Sequence, residues 1–416
     1  MSADDDARLP RILLAWELGQ NFGHVSKTAT VAGRLAGRAR LFVAVKDAAA
    51  FRRVAPDLPC TLLPAPFHLH GGRPRSAPSR SYGDELRTCG WGDPDGLSAL
   101  AEAWRGLVRA VRPDVIACNA APTLQLAQRG QAGPPIAAFG TGYETPPGRG
   151  SATPRFTFWR EAPEDDEAAR LEREAGVVAN ANAALDRAGA PPVEGIGDLF
   201  ADLDARFLIT WPELDQYRPR ERFDPGPHAY LGPLYHVDAG REAAWRPDAA
   251  KRVFAYIQRG SREYDLTLAA LNALPGDWDV ILVSPGVAAA RGGREPARHV
   301  RRFDETVRLD RLLPEMDLGV GHGSFGVASA LVSAGVPQLA LPRHAEQLMT
   351  ARALGEAGCG IGFAGEPSAA QISKAMRKLI ERPEYRANAR ALSEKRREMD
   401  CAASAAAVAN GLLGLA

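Results

Sequence analysis

The chain opens as an alternation of apolar blocks and amphipathic stretches. Arg11–Trp16 is apolar throughout after its leading arginine, Val25–Leu35 repeats apolar residues at helical spacing, and Arg40–Val45 is a second block of the same form. Short apolar runs bounded by turn residues read as buried strands, and recurrence at three and four residues reads as a helix. The pattern continues with a predicted helix over Leu97–Val111 and strands over Asp114–Cys118 and Pro135–Phe139. It starts again with Arg252–Gln258 as a strand, Leu266–Ala273 as a helix and Trp278–Ser284 as a strand. An apolar run, Leu312–Val320, then leads into a glycine turn, a helix over Val327–Ala334 and a short strand, Gln338–Leu341. Three helices, Ser368–Glu381, Tyr385–Glu398 and Ala402–Leu415, close the chain. Strands alternating with helices in this way predict an α/β protein built from parallel βαβ units, in two halves.

Three stretches break the alternation. Glu213–Trp245 is rich in proline and glycine and reads as an interdomain linker. His68–Gly96 reads as a surface excursion or as a loop that covers a substrate. Gly140–Arg160 carries Tyr143, Phe156, Phe158 and Trp159, which either anchor the loop to the core or line an apolar acceptor cleft.

Composition narrows the class. At 416 residues the chain exceeds one ordinary core, which agrees with two domains. A formal net charge of +1, with no basic stripe interleaved with aromatics, argues against nucleic acid as a partner. Cys60, Cys89, Cys118, Cys359 and Cys401 are scattered, so neither a zinc site nor a disulfide framework is expected. The acidic start, Met1-Ser2-Ala3-Asp4-Asp5-Asp6, lacks the order of a secretory signal, and no run of about 18 apolar residues would span a bilayer. A cytoplasmic location is the expectation. Phe22, Phe67 and Trp91 leave contact with a membrane surface open.

Most of the readable chemistry lies in Gly321-His322-Gly323-Ser324-Phe325-Gly326, followed by Ala334-Gly335-Val336-Pro337-Gln338 and Pro342-Arg343-His344-Ala345-Glu346-Gln347. Small residues between a strand and a helix let backbone N–H groups approach an anion at the positive end of the helix dipole, and histidine and serine add directed donors. Close packing of strand on helix is the alternative reading of the same glycines. The order of the three segments resembles the donor-binding signature of the family 1 glycosyltransferases, which include UDP-glycosyltransferases and the bacterial macrolide and glycopeptide antibiotic glycosyltransferases.

That resemblance implies the GT-B fold: two Rossmann-like βαβ domains facing across a cleft, with C-terminal helices crossing back to the first domain. The implied domains are 1–222 for the acceptor, 223–395 for the nucleotide sugar, and 396–416 as the returning helix. It assigns the donor diphosphate to His322, Gly323, Ser324 and Gly326, and to Arg259, Gly260 and Ser261, which stand where the family has a glycine–serine turn. Val307 and Leu309 would border the nucleobase, and Glu346 and Gln347 would hold sugar hydroxyls; helix capping is the other explanation of that pair. Ala330 stands where enzymes with a ribose donor often carry glutamate, which inclines the donor toward a dTDP-sugar over a UDP-sugar.

In the first half, Gly19-Gln20-Asn21-Phe22-Gly23-His24-Val25 resembles the family loop that ends in the general base, making His24 that base. Histidine is suited to removing a hydroxyl proton near neutral pH. The partner of the base is an aspartate in many relatives and is Asn119 here. Asparagine accepts the imidazole N–H but brings no charge, which leaves three readings open: a slower enzyme, an already nucleophilic acceptor, or another carboxylate nearby, with Glu17 and Glu144 as candidates. Tyr143, Glu144 and Trp159 are candidates for the acceptor side. The implied activity is inverting, metal-independent transfer from a nucleotide-sugar co-substrate to a small apolar or aromatic acceptor, with no metal and no other cofactor. A non-catalytic nucleotide-sugar-binding protein and a nucleotide-sugar 2-epimerase are the competing readings. Oligomeric state is not encoded legibly.

Overall fold

The computed structural model describes residues 9–19, 22–68, 79–156, 165–224, 229–285 and 294–416. The chain divides into two compact units. One runs up to Leu234 and includes Met399–Ala416, and the other spans Tyr235–Glu398.

Among the described residues, the first unit has a seven-stranded parallel sheet, formed by β1 (Arg11–Trp16), β2 (Arg40–Val45), β3 (Thr61–Pro64), β4 (Val115–Asn119), β5 (Ile136–Gly140), β6 (Ala205–Leu208) and β7 (Ala229–Tyr230). Its order is β3-β2-β1-β4-β5-β6-β7. Alternate side chains of β1 point to opposite faces. Ile12, Leu14 and Trp16 enter a cluster with Val25, Val31 and Leu35 of the helix Phe22–Leu35. Leu13 and Ala15 enter another, with Trp104 and Val108 of the helix Pro94–Val111. Both faces being covered explains why β1 reads as a continuous apolar run.

The C-terminal helix Cys401–Leu415 completes this unit. Its Val408 and Leu412 join the Ile12 cluster, and Ser404 Oγ donates to the carbonyl of Leu231 at 2.5 Å.

Among the described residues, the second unit has a six-stranded parallel sheet, formed by β8 (Arg252–Tyr256), β9 (Asp279–Val283), β10 (Val300–Phe303), β11 (Leu318–Gly321), β12 (Gln338–Ala340) and β13 (Gly360–Gly362). The order is β10-β9-β8-β11-β12-β13. Val253 and Ala255 pack with Leu268, Leu271 and Met376 on one face, while Phe254 packs with Ile281, Leu312 and Leu331 on the other.

The run Leu312–Val320 is not one extended segment. A 3-10 turn occupies Leu313–Glu315, and only Leu318–Gly321 is strand. Pro314 supplies no N–H for a ladder, so pairing starts after it. The loop after β5 is anchored inward. Phe156 is buried, and its ring stacks on Tyr143 at 5.2 Å between centroids. Phe158 and Trp159 lie outside the described residues. No helix among the described residues is long and apolar enough to cross a membrane.

Candidate active site

In the first sheet the strand order reverses between β1 and β4, so loops leaving their C-terminal ends run apart and open a crevice, the usual ligand position in such sheets. Trp16 pairs with Asn119 across this point. His24 follows β1, and its ring stacks on Trp16 with centroids 5.7 Å apart and planes 11° apart. His24 Nδ1 lies 3.0 Å from Asn119 Oδ1 and 3.3 Å from Glu144 Oε1. Both oxygens are acceptors, so Nδ1 carries the hydrogen and Nε2 the lone pair.

Asn119 serves two partners at once, because its Nδ2 donates to the carbonyl of Phe139 at 2.8 Å. An aspartate has no hydrogen for that carbonyl. This explains the asparagine at a place where charge is expected.

The charge comes from Glu144. It is buried, accepts from the Thr141 N–H at 2.8 Å, and takes a hydrogen bond at Oε1 from Lys27 Nζ. Burial alone would raise its pKa, but Lys27, His24 and the Thr141 N–H outweigh burial and hold it below the ordinary carboxylate range. Burial and the Lys27 charge lower the pKa of His24 to about 4, against the opposing pull of Glu144 and Asn119. His24 is therefore a neutral imidazole at physiological pH.

The loop bearing Glu144 is fixed from beneath. Buried Arg220 pairs with Asp215 at 2.7 Å and donates to the carbonyls of Thr145 at 2.8 Å and Gly142 at 3.2 Å. Tyr143, offered from the sequence as an acceptor contact, has its N–H on Gln216 Oε1 at 3.1 Å and its ring against Phe156 and Tyr82. Trp159, Gln20 and Asn21 lie outside the described residues. Glu17 is not the carboxylate beside His24. It accepts from the N–H and hydroxyl of Thr123, and burial raises its pKa to about 8. Lys27 escaped the sequence reading; its signal was the three-residue spacing from His24, which puts both on one face of a helix.

The second sheet reverses between β8 and β11. After β8, Gly260 (φ 81°) and Ser261 lead into the helix Arg262–Asn272; after β11, Gly323 (φ 79°) and Ser324 lead into the helix Phe325–Ser333. Neither serine side chain caps its helix. Gly326 lies in the first turn of the second helix. Two helix N-termini with N–H groups left over therefore start side by side at one switch point.

His322 is 7% exposed, and its Nδ1 lies 3.0 Å from the Leu341 carbonyl, which makes Nδ1 the protonated nitrogen. Its Nε2 faces the Gln258 N–H at 3.4 Å. Burial lowers its pKa, with Arg343 adding to that effect and the Leu341 carbonyl opposing it. Arg343 Nη1 donates to Gln258 Oε1 at 3.0 Å, and Arg259 Nη1 reaches Asp304 Oδ1 at 3.4 Å.

Gln347 Oε1 accepts from the Arg343 N–H at 2.9 Å, the back-bond of a helix N-terminus, and Glu346 lies in the first turn of that helix, Ala345–Glu356. Val307 and Leu309 have buried side chains in the cluster around Phe254. Arg241 bonds the Thr306 carbonyl and the Arg308 N–H, which turns the backbone groups of Val307 itself the other way. Ala330 is in the same cluster, so its Cβ fills core space. Among the described residues, no three His, Cys, Asp or Glu side chains are grouped to hold a metal ion.

Residues 277–415 match the family described as "Erythromycin biosynthesis protein CIII-like, C-terminal domain". Over 182 residues the chain is 30% identical to the elloramycin glycosyltransferase ElmGT of Streptomyces olivaceus, a match covering 44% of this chain and 40% of that relative. Whole-chain similarity extends to solved structures. The calicheamicin glycosyltransferase CalG4 superposes with a TM-score of 0.72 at 18% identity, covering 98% of this chain and 99% of that one. The glycosyltransferase VinC, solved in complex with DTDP, gives 0.64 at 16% identity, covering 97% and 99%. At these identities the likeness is one of fold. The chain thus has the GT-B fold seen in the antibiotic glycosyltransferases, and its C-terminal part matches the erythromycin biosynthesis protein CIII-like domain.

Proposed function

We propose that this protein transfers a sugar from a nucleoside-diphosphate donor to a hydroxyl of a small apolar or aromatic acceptor, with inversion and without a metal ion. One observation carries the reading. A neutral histidine, with Nδ1 tied to Asn119 and Glu144 and its lone pair on Nε2, follows the first strand at the switch point of the first sheet. The acceptor hydroxyl gives its proton to His24 Nε2 as its oxygen bonds to the anomeric carbon. The bond from that carbon to the phosphate oxygen breaks, and its electron pair leaves with the diphosphate. The helix N-termini at Ser261 and Ser324, with Gly260, Gly323 and Gly326, receive that charge. Arg259 adds a side-chain donor, and His322 adds one once its Nε2 takes up a proton. Glu346 and the amide of Gln347 are assigned to sugar hydroxyls, the backbone of Val307 and Leu309 to the nucleobase, and the Tyr143–Trp159 stretch to the acceptor side.

A dTDP-sugar is favoured over a UDP-sugar, because VinC and the spinosyn rhamnosyltransferase SpnG are both solved with thymidine diphosphate. SpnG is also solved with spinosyn aglycone, which supports a small-molecule aglycone as acceptor. The free state of all five cysteines suits a reducing cytoplasm.

The test is a thermal-shift panel of UDP, dTDP and GDP without added metal, followed by transfer assays on His24→Ala. Ligand at about 100 times its dissociation constant adds about 2.7 kcal/mol of stability. The expected result is a dTDP-selective shift, kept in His24→Ala, with transfer abolished. Retained transfer in that variant overturns the role of His24; no shift with any nucleotide overturns the donor reading and leaves a protein that kept the fold without the chemistry.

A further inference from the structure

The assignment of His24 as base, on which this inference rests, leaves a buried lysine unexplained. Lys27 follows His24 by one helical turn and is 7% exposed. Its Nζ donates to Glu144 Oε1, the same oxygen that stands 3.3 Å from His24 Nδ1. A lysine is seldom fully buried unless paired, and this one is paired to the carboxylate oxygen that stands against the ring. One oxygen thus serves both the Lys27 side chain and a ring that is cationic only after it has taken a proton.

We propose that Glu144 and Lys27 form a charge-setting pair for His24, in which Glu144 stabilises the imidazolium formed when the acceptor loses its proton, and Lys27 prevents that carboxylate from drawing a proton onto the ring before the acceptor arrives. Both are positioning residues, because they act through His24. The pair replaces what a single aspartate at position 119 would do. Asn119 orients the ring and binds the Phe139 carbonyl, while the charge is held on a separate loop with Glu144 Oε1 3.3 Å from Nδ1.

The groups facing the ring from every side agree with this division. Lys27 comes from its own helix and Glu144 from the loop after β5. Lys46 comes from the end of β2, with its Nζ on the Gly19 carbonyl at 2.7 Å. Asn119 and Trp16 bring no charge. Among the described residues two cations and one anion act on the ring, and burial with the cations outweighs the anion and holds it neutral at rest. A catalyst built in this way keeps its base unprotonated well below neutral pH.

The experiment is a titration of the His24 ring by NMR on histidine-labelled full chain, assigned with His24→Ala, beside pH profiles of kcat/KM. Wild type is expected to titrate near 4. Lys27→Met removes a cation and releases Glu144 to the ring, so the midpoint should rise by about one unit or more, a tenfold change in proton affinity. The acid limb of kcat/KM should move with it. Lys27→Arg keeps the charge and should leave the midpoint in place. Glu144→Gln should lower kcat by about tenfold or more with KM unchanged, less than the roughly hundredfold or more lost with the general base itself. The double variant Lys27→Met/Glu144→Gln carries no unpaired buried charge, so it stays folded if either single variant does not. Its midpoint should fall below that of Lys27→Met.

An unmoved midpoint in Lys27→Met and in the double variant overturns the proposal, as does wild-type kcat in Glu144→Gln. If the wild type transfers no sugar from any donor, the functional reading fails, while the titration still decides whether the pair sets the charge of His24.

Discussion

Gly19 presents its Cα to Nε2 of His24: a Cβ at position 19 would lie 2.2 Å from that nitrogen. No side chain fits without displacing the ring, and Nε2 is the atom proposed to receive the acceptor proton. The residue also has φ 85°, where a Cβ is strained. Gly19→Ala should lose stability by about 1–2 kcal/mol, the usual cost of a left-handed conformation for a residue with a side chain. Transfer should fall far more than that loss explains, while nucleotide binding by the second unit stays intact. Denaturant midpoints and the thermal-shift panel separate the two effects.

Asn119→Asp would make the site resemble the more common histidine–aspartate pair, and it should be the worse protein. The Phe139 carbonyl now takes a hydrogen from Asn119 Nδ2 at 2.8 Å, and an aspartate would put an acceptor in its place. Leaving a buried carbonyl unsatisfied costs about 1–3 kcal/mol. A second carboxylate beside Glu144 would also raise the pKa of His24. Lower thermal stability and an acid limb shifted to higher pH are expected together. A stable, faster enzyme would overturn this account of the asparagine.

How far the sequence disclosed all this depended on burial and on contact range. β1 and β2 were legible to the residue, because strands covered on both faces are unbroken apolar runs. β13 has two glycines in three residues, and β3 ends in a proline, so neither shows a strand pattern. The helix Asp165–Asp186 went unread because its faces are mostly polar and alanine-rich. At the site, His24 and Asn119 were legible because each follows or ends a recognisable strand. The Lys27–Glu144 bond joins residues 117 positions apart, and no local pattern encodes such a pairing.

Two buried groups should shape stability against pH in opposite senses. The folded pKa of His24 is depressed to about 4 from an ordinary 6.5, so the contribution of this residue to stability is full above 6.5 and is lost as pH falls toward 4. The folded pKa of Glu17 is raised to about 8 from 4.5, so its contribution is full below 4.5 and is lost as pH rises toward 8. Stability should therefore peak on the acid side of neutrality. Glu17→Gln should flatten the fall between pH 6 and 8, and can keep one acceptor for the Thr123 N–H. Chemical denaturation from pH 5 to 8 checks this. An unchanged slope in the variant would show that Glu17 is ionised in the folded protein.

His322 leads to a prediction about the donor. Its Nδ1–H is committed to the Leu341 carbonyl, so in the neutral ring Nε2 is an acceptor, facing the Gln258 N–H. A diphosphate offers only acceptors to that nitrogen unless it is itself protonated. For His322 to donate, Nε2 must gain a proton, and burial has lowered its affinity for one. Binding of a nucleoside diphosphate should therefore take up a proton, and the affinity of dTDP should strengthen as pH falls from 8 toward 6. The diphosphate has its own proton equilibrium in this range, so the comparison is with His322→Gln, which has no ring to protonate. The difference between the two affinity profiles, measured by calorimetry in buffers of different ionisation enthalpy, isolates the histidine. Parallel profiles would mean that His322 orients the loop through Leu341 and Gln258, and that the helix N-termini carry the phosphate alone.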